Sequence, residues 1–168
     1  MSRLSLLLLP VLALQAQDAP APGAVEVRPG IFVLAAAPAE GISQALKRYR
    51  FTHVLDLRRD EEPGADCQAE AARLQELGIQ YQRYALGKAP PDGDFDFVRA
   101  LLRDLPRGAR ILIHCSNGNR AAAVVCPWLV LDRGMPLTEA LRVAGEAGLK
   151  LPETQEAVRR YLRKHGQA

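Results

Sequence analysis

The chain has 168 residues, enough for one domain with a substantial core and short of what two would need. Charged residues make up 24% and hydrophobic residues 48%, a globular balance that excludes an intrinsically disordered chain. A formal net charge of +3 gives no electrostatic argument for nucleic acid or a membrane surface as partner.

At the N-terminus, Arg3 precedes an apolar run from Leu4 to Leu14, and Leu14-Gln15-Ala16 offers a cleavage site before Gln17. That layout predicts a signal peptide over 1–16 and export, to the periplasm in a bacterium; the run is short for a membrane span. Its removal takes away only Arg3 among the charged residues, so the balance stays near neutral. Residues 17–24 are rich in Pro and Ala and predict an extended linker, with the folded domain over 25–164.

Within the domain, Val25–Val27 and Ile31–Leu34 read as a strand pair around Arg28-Pro29-Gly30. A helix is predicted over Gly41–Arg50, then a buried strand at His53–Leu57 that ends in the charged run Arg58–Glu62. A second helix starts at Asp66 and stops at Gly78, and Ile79–Tyr84 is a strand. The Pro/Gly loop 90–94 precedes a helix bearing Phe95, Phe97, Val98, Leu101 and Leu102. Arg110–His114 is a short apolar strand, and helices follow over 120–132, 136–147 and 152–164, the first containing Pro127. Strands alternating with helices predict an α/β fold: a largely parallel central sheet flanked by helices, with a helical C-terminal third.

The chemistry concentrates in Cys115-Ser116-Asn117-Gly118-Asn119-Arg120, between that apolar strand and the first of those helices. Backbone N–H groups at a helix start lack intrahelical acceptors, and the helix dipole there favours an anion. These groups and Arg120 favour the thiolate form of Cys115, a condition for nucleophilic attack near neutral pH. Arg120 carries a planar charge suited to gripping an oxyanion with two parallel bonds. Gly118 stands where a tight cradle calls for a residue without a Cβ.

With His114 before it, this stretch resembles the cysteine loop of the cysteine-dependent phosphatase superfamily. The likeness is stronger to the bacterial beta-lactamase-hydrolase-like phosphatase domains, which show an H-C-x-x-G-x-R pattern. Val54–Arg58 with its acidic sequel, Glu70 to Tyr81, and Ala147-Gly148-Leu149 resemble further segments of that group, over about Val25 to Leu149. The resemblance implies a phosphatase-like domain in which Cys115 attacks phosphorus and Arg120 clamps the phosphoryl oxygens. Ser116, Asn117, Gly118 and Asn119 would supply backbone donors, and an aspartate would protonate the leaving oxygen.

Three features depart from the pattern. The loop has four residues between cysteine and arginine, where tyrosine phosphatases have five; four is the length in rhodanese-type sulfurtransferases, so a persulfide on Cys115 is an alternative. Ala121 replaces the hydroxyl residue that assists departure of the thiolate. The acid is not fixed by motif: Asp92, in the loop before a helix, is the first choice and Asp94 its rival, though either could serve as the helix N-cap. An oxyanion-binding module with little turnover is the third reading.

The remaining candidates read as structural. His114 is expected to point to the opposite strand face from Cys115, as a hydrogen-bonding partner for the loop. Asp56 lies within a strand pattern, Arg58 and Arg59 form a solvated cluster with Asp60, Glu61 and Glu62, and Trp128 belongs to the core. No spacing of His, Cys and carboxylates suggests a metal site, and no cofactor is expected. The expected partner is a phosphorylated or sulfur-oxyanion substrate, with a thiol reductant for Cys115 in an oxidising compartment. Three cysteines leave open a Cys67–Cys126 disulfide or buried thiols.

Overall fold

A computed structural model of the chain describes residues 23–35 and 42–167. The expected signal peptide lies outside the described residues, as does all of the linker except Gly23 and Ala24. The domain comprises β1 (Ala24–Arg28), β2 (Ile31–Leu34), α1 (Ile42–Arg48), β3 (His53–Asp56), α2 (Cys67–Glu76), β4 (Gln80–Arg83) and α3 (Asp92–Arg103). These are followed by β5 (Ile111–His114), α4 (Asn119–Leu131), α5 (Leu137–Glu146) and α6 (Pro152–Lys164). The strands form one sheet in the order β1-β2-β5-β3-β4, parallel except for the β1–β2 hairpin. This is the α/β arrangement that the alternation of strands and helices predicts.

β5 lies at the centre, with Leu112 opposite Phe32 of β2 and Val54 of β3. Its alternation divides the core. Ile111 and Ile113 pack with Val33, Leu55 and helices α3 to α6, whereas Leu112 packs with Phe32, Val54, Leu46 of α1 and Leu74 of α2. Every residue of α4 from Asn119 to Val130 is buried, as expected of a helix apolar all round, with α3, α5 and α6 against it. Pro127 does not end the helix, which continues to Leu131. Trp128 is buried in the core.

At α2 the caps follow the sequence signals. Asp66 is the N-cap of α2 and its Oδ1 accepts the Ala69 N–H at 3.0 Å, while Gly78 past the C-terminus takes φ +71°. For α3 the N-cap residue is Pro91, which places Asp92 and Asp94 inside the first turn rather than at the cap. All three cysteines are free and buried, so the disulfide alternative is not realised. Burial pushes the Cys126 thiol up to about 12 and also raises that of Cys67.

Candidate active site

Cys115 follows the last residue of β5, at the C-terminal edge of the parallel strands, and α4 begins four residues later. Gly118 bridges the two with φ +81° as the N-cap residue of α4. A Cβ there would lie 2.9 Å from the Ala147 carbonyl oxygen, 2.9 Å from Ala35 Cα and 3.1 Å from the Leu34 carbonyl oxygen. Gly148 (φ +118°) closes on the loop from the other side, where a Cβ would approach the Gly118 carbonyl carbon to 3.1 Å. Two glycines back to back let the chain turn this sharply between strand and helix.

Among the described residues the amides of Ser116, Asn117 and Gly118 have no backbone or side-chain acceptor, so three donors are available at the helix start. The Asn119 amide is spent on Asn117 Oδ1 at 3.2 Å, and that oxygen also lies 4.0 Å from Cys115 Sγ. The buried Asn119 side chain ties the loop to α6. Its Oδ1 accepts the amides of Lys150 (2.8 Å) and Leu151 (3.0 Å), and its Nδ2 donates to Thr154 Oγ1 at 2.8 Å. Thr154 in turn donates to the Lys88 carbonyl at 2.6 Å and fixes the loop between β4 and α3.

Arg120 is buried and held from four sides. Nη1 donates to Glu62 Oε1 (2.5 Å), to the Leu86 carbonyl (2.8 Å) and to the Leu57 carbonyl (3.2 Å). Nη2 donates to Glu62 Oε2 (2.6 Å) and Ser116 Oγ (2.9 Å), and Ser116 Oγ also donates to Glu62. Burial works against the guanidinium charge, but the Glu62 bonds and the neighbouring Cys115 sulfur more than restore it. The same pairing with Arg120 lowers the Glu62 carboxyl to about 2. Glu62 is therefore part of the site, not of a solvated charge cluster. The sequence signal that could have found it is topological: a carboxylate just past a strand that turns out to neighbour β5.

Arg59, Glu62, Lys88, Ser116, Asn117 and Arg120 line a cleft of about 310 Å³, walled by Leu86, Gly87 and Leu151. Asp92 does not line it. Its carboxylate pairs with Lys164 Nζ of α6 at 2.6 Å, which lowers its pKa, while Asp94 accepts the Tyr84 hydroxyl at 2.8 Å. Glu62 is the one carboxylate among the described residues that line the cleft.

His114 points away from Cys115, and its Nε2 lies 3.1 Å from Glu70 Oε1 and 3.9 Å from Asp56 Oδ1. Its nearest charged neighbour is thus Glu70 of α2 rather than the loop, and the two atoms are not in hydrogen-bonding geometry. Asp56 is fully buried and accepts Arg58 Nε (2.9 Å), Arg58 Nη2 (2.7 Å) and the Tyr81 hydroxyl (2.8 Å), and Arg58 also reaches Glu70. Burial opposes ionisation of Asp56, but the Arg58 bonds win and keep it ionised well below the usual carboxylate range. Asp56, Glu70 and His114 bring one ligand atom each within 4.8 Å, a grouping the sequence spacing does not reveal; Arg58 already supplies the cation between the carboxylates.

No protein-family model matches the chain, and no curated protein matches it. Solved structures do. The fold is that of the protein-tyrosine phosphatases. A Gly-to-Ala variant of Tk-PTP superposes with a TM-score of 0.71 at 20% identity, covering 88% of this chain and 99% of the other. A Cys-to-Ser variant of P. aeruginosa TpbA, in complex with phosphotyrosine, gives 0.64 at 16% identity over 86% and 85%. Human DUSP28 gives 0.64 at 23% identity over 86% and 96%.

Proposed function

We propose that the chain is a cysteine-dependent phosphatase acting on a phosphomonoester, with protein phosphotyrosine the substrate type suggested by the likeness to TpbA in complex with phosphotyrosine. The observation that carries this reading is the placement of Cys115 at the strand end of a tyrosine-phosphatase fold, followed in its loop by three amides without an acceptor among the described residues and with Arg120 as its charged neighbour. In the reaction, the Cys115 thiolate attacks phosphorus and the ester P–O bond breaks, with the leaving oxygen departing as an anion that takes its proton from water. Water then attacks the thiophosphate, the S–P bond breaks, and phosphate leaves as the thiolate returns. The amides and Arg120 stabilise the charge that grows on the phosphoryl oxygens in both steps.

The four-residue loop supports the second reading, sulfur transfer through a persulfide. One experiment separates them: reduced protein is assayed for hydrolysis of an aryl phosphate and for thiocyanate formation from thiosulfate and cyanide, with Cys115→Ser as control. Phosphate release that disappears in the variant is the expected result. Thiocyanate alone would replace the phosphatase with the sulfurtransferase, and silence in both assays would leave an oxyanion-binding module. Export is part of the proposal, on the strength of the charged and apolar pattern of residues 1–16, and mass spectrometry of protein secreted by a bacterial host, expected to begin at Gln17, tests it.

A further inference from the structure

A second cavity of about 310 Å³ lies at the other end of the sheet. Its walls include Ile31 at the start of β2 and Ala109 just before β5, whereas Cys115 is at the far end of β5. At about 3.3 Å per strand residue, the two sites are roughly 20 Å apart.

Three arginines line this cavity, Arg28 from the end of β1, Arg103 from the end of α3 and Arg133 just past α4, together with Trp128, and no carboxylate does. Two of the nearby acidic groups are already committed, and Asp104 does not line the cavity. Asp132 is shared by Arg99 (2.6 Å) and Arg103 (2.9 Å), so one carboxylate serves two guanidinium groups. Glu26 accepts the Gly30 amide at 3.0 Å. Among the described residues neither Arg28 nor Arg133 has a carboxylate partner; the Arg133 guanidinium carbon sits 4.6 Å from the centre of the Trp128 ring. The Trp128 indole N–H is buried and has no acceptor.

A cavity whose polar side chains are all donors, with an excess of fixed planar charge, is complementary to a ligand made of acceptors. Guanidinium groups match tetrahedral oxyanions with paired bonds, and a concave site of this size holds a small ion rather than a protein surface. We propose that this cavity is a second oxyanion site, independent of Cys115, for a small inorganic phosphate: orthophosphate or pyrophosphate.

Trp128 is the only tryptophan in the chain and lines this cavity, so its emission and its indole N–H signal in a ¹H–¹⁵N spectrum are assignable to that wall. The full chain is titrated with orthophosphate and with pyrophosphate, against sodium chloride at matched ionic strength. The expected result is a saturable shift of both signals with phosphate and none with chloride. The shift persists in Arg120→Ala, which disables the catalytic cradle, and its midpoint rises about tenfold or more in Arg28→Ala, an exposed substitution outside the core. Arg133→Ala behaves likewise in the indole N–H signal. Absence of a saturable shift with both anions overturns the proposal. So does a shift that disappears in Arg120→Ala, or one that Arg28→Ala and Arg133→Ala leave unchanged.

Discussion

Glu62→Gln tests the reading of the site most directly, because it removes one charge and almost no volume. In the native chain two charge-assisted bonds of 2.5 and 2.6 Å join Glu62 to Arg120, and Ser116 adds a third contact. Gln presents one acceptor oxygen, so Arg120 keeps one of the two bonds in neutral form, along with the carbonyls of Leu57 and Leu86. Loss of one charge-assisted bond and weakening of the other should cost about 2–3 kcal/mol. In a domain of this size that is a fall in Tm of roughly 4–12 °C, measurable by calorimetry. The pH dependence carries its own sign. The folded Glu62 pKa, about 2, lies below its ordinary value of 4.5. Its contribution is therefore fully present above that ordinary value and is lost as pH falls towards 2. The gap between wild type and Glu62→Gln should be constant at neutral pH and close progressively over that acid window. Aryl-phosphate turnover should fall at least tenfold, since a guanidinium with fewer fixed bonds positions the phosphoryl group less well. Equal Tm values at pH 7, or a gap that persists undiminished at the acid end, would refute the argument that this pair orients Arg120.

Other expectations concern the loop and its supports. Gly118→Ala forces a Cβ into backbone at φ +81°, and should cost about 1–3 kcal/mol in strain alone and abolish most turnover; a wild-type Tm would count against the close approach. Thr154→Val leaves Asn119 Nδ2 and the Lys88 carbonyl without their hydroxyl partner, for an expected loss of about 2–4 kcal/mol in urea unfolding. Asp92→Asn breaks only the pair with Lys164 and should leave kcat/KM for an aryl phosphate within about threefold; a loss of two orders of magnitude would restore Asp92 as the acid. Finally, Arg120 keeps Glu62 ionised, so aryl phosphates, with stable leaving anions, should outpace alkyl phosphates by about 100-fold or more. Equal rates on the two classes would show that an efficient acid reaches the leaving oxygen.

The fold was readable because its signals are local. The apolar strand Ile111–Ile113, the N-cap Asp66 and Gly78 each act over a few residues, and alternation of strand and helix leaves few topologies to consider. The cysteine loop was readable for the same reason, its six residues being contiguous. What the sequence did not show is what distant segments bring to that loop. Asn119, expected only as a backbone donor, uses its side chain to hold residues 150–154; Gly148 meets Gly118 across thirty positions of chain. Asp92 looked suited to the site because its loop precedes a helix, yet the pairing that decides its fate is with Lys164, seventy-two residues later. Such contacts depend on the strand order, which no local pattern encodes.

The run Arg58 to Glu62 shows how strand order assigns roles that composition leaves equal. Arg58 turns to the α1–α2 face, where Asp56 occupies its Nε and Nη2 and Glu70 shares Nη2, so its charge is absorbed by two buried carboxylates. Glu62, four residues on, reaches the neighbouring strand end and meets Arg120. There the hydrogen count comes out differently. Nη1 has three acceptors for its two hydrogens, and Nη2 has two, one of them Ser116 Oγ. Among the described residues no oxygen accepts from Nε, the Cys115 sulfur being a further neighbour of the guanidinium, and a hydroxyl is the weakest competitor for the second Nη2 hydrogen. An incoming phosphoryl group can thus take the Nε–Nη2 edge by displacing Ser116 alone, while Glu62 keeps its two bonds and holds the guanidinium plane in place. By this count Glu62 is a fixed support for Arg120 rather than an occupant of the substrate's place, and Arg58 has no such edge to offer.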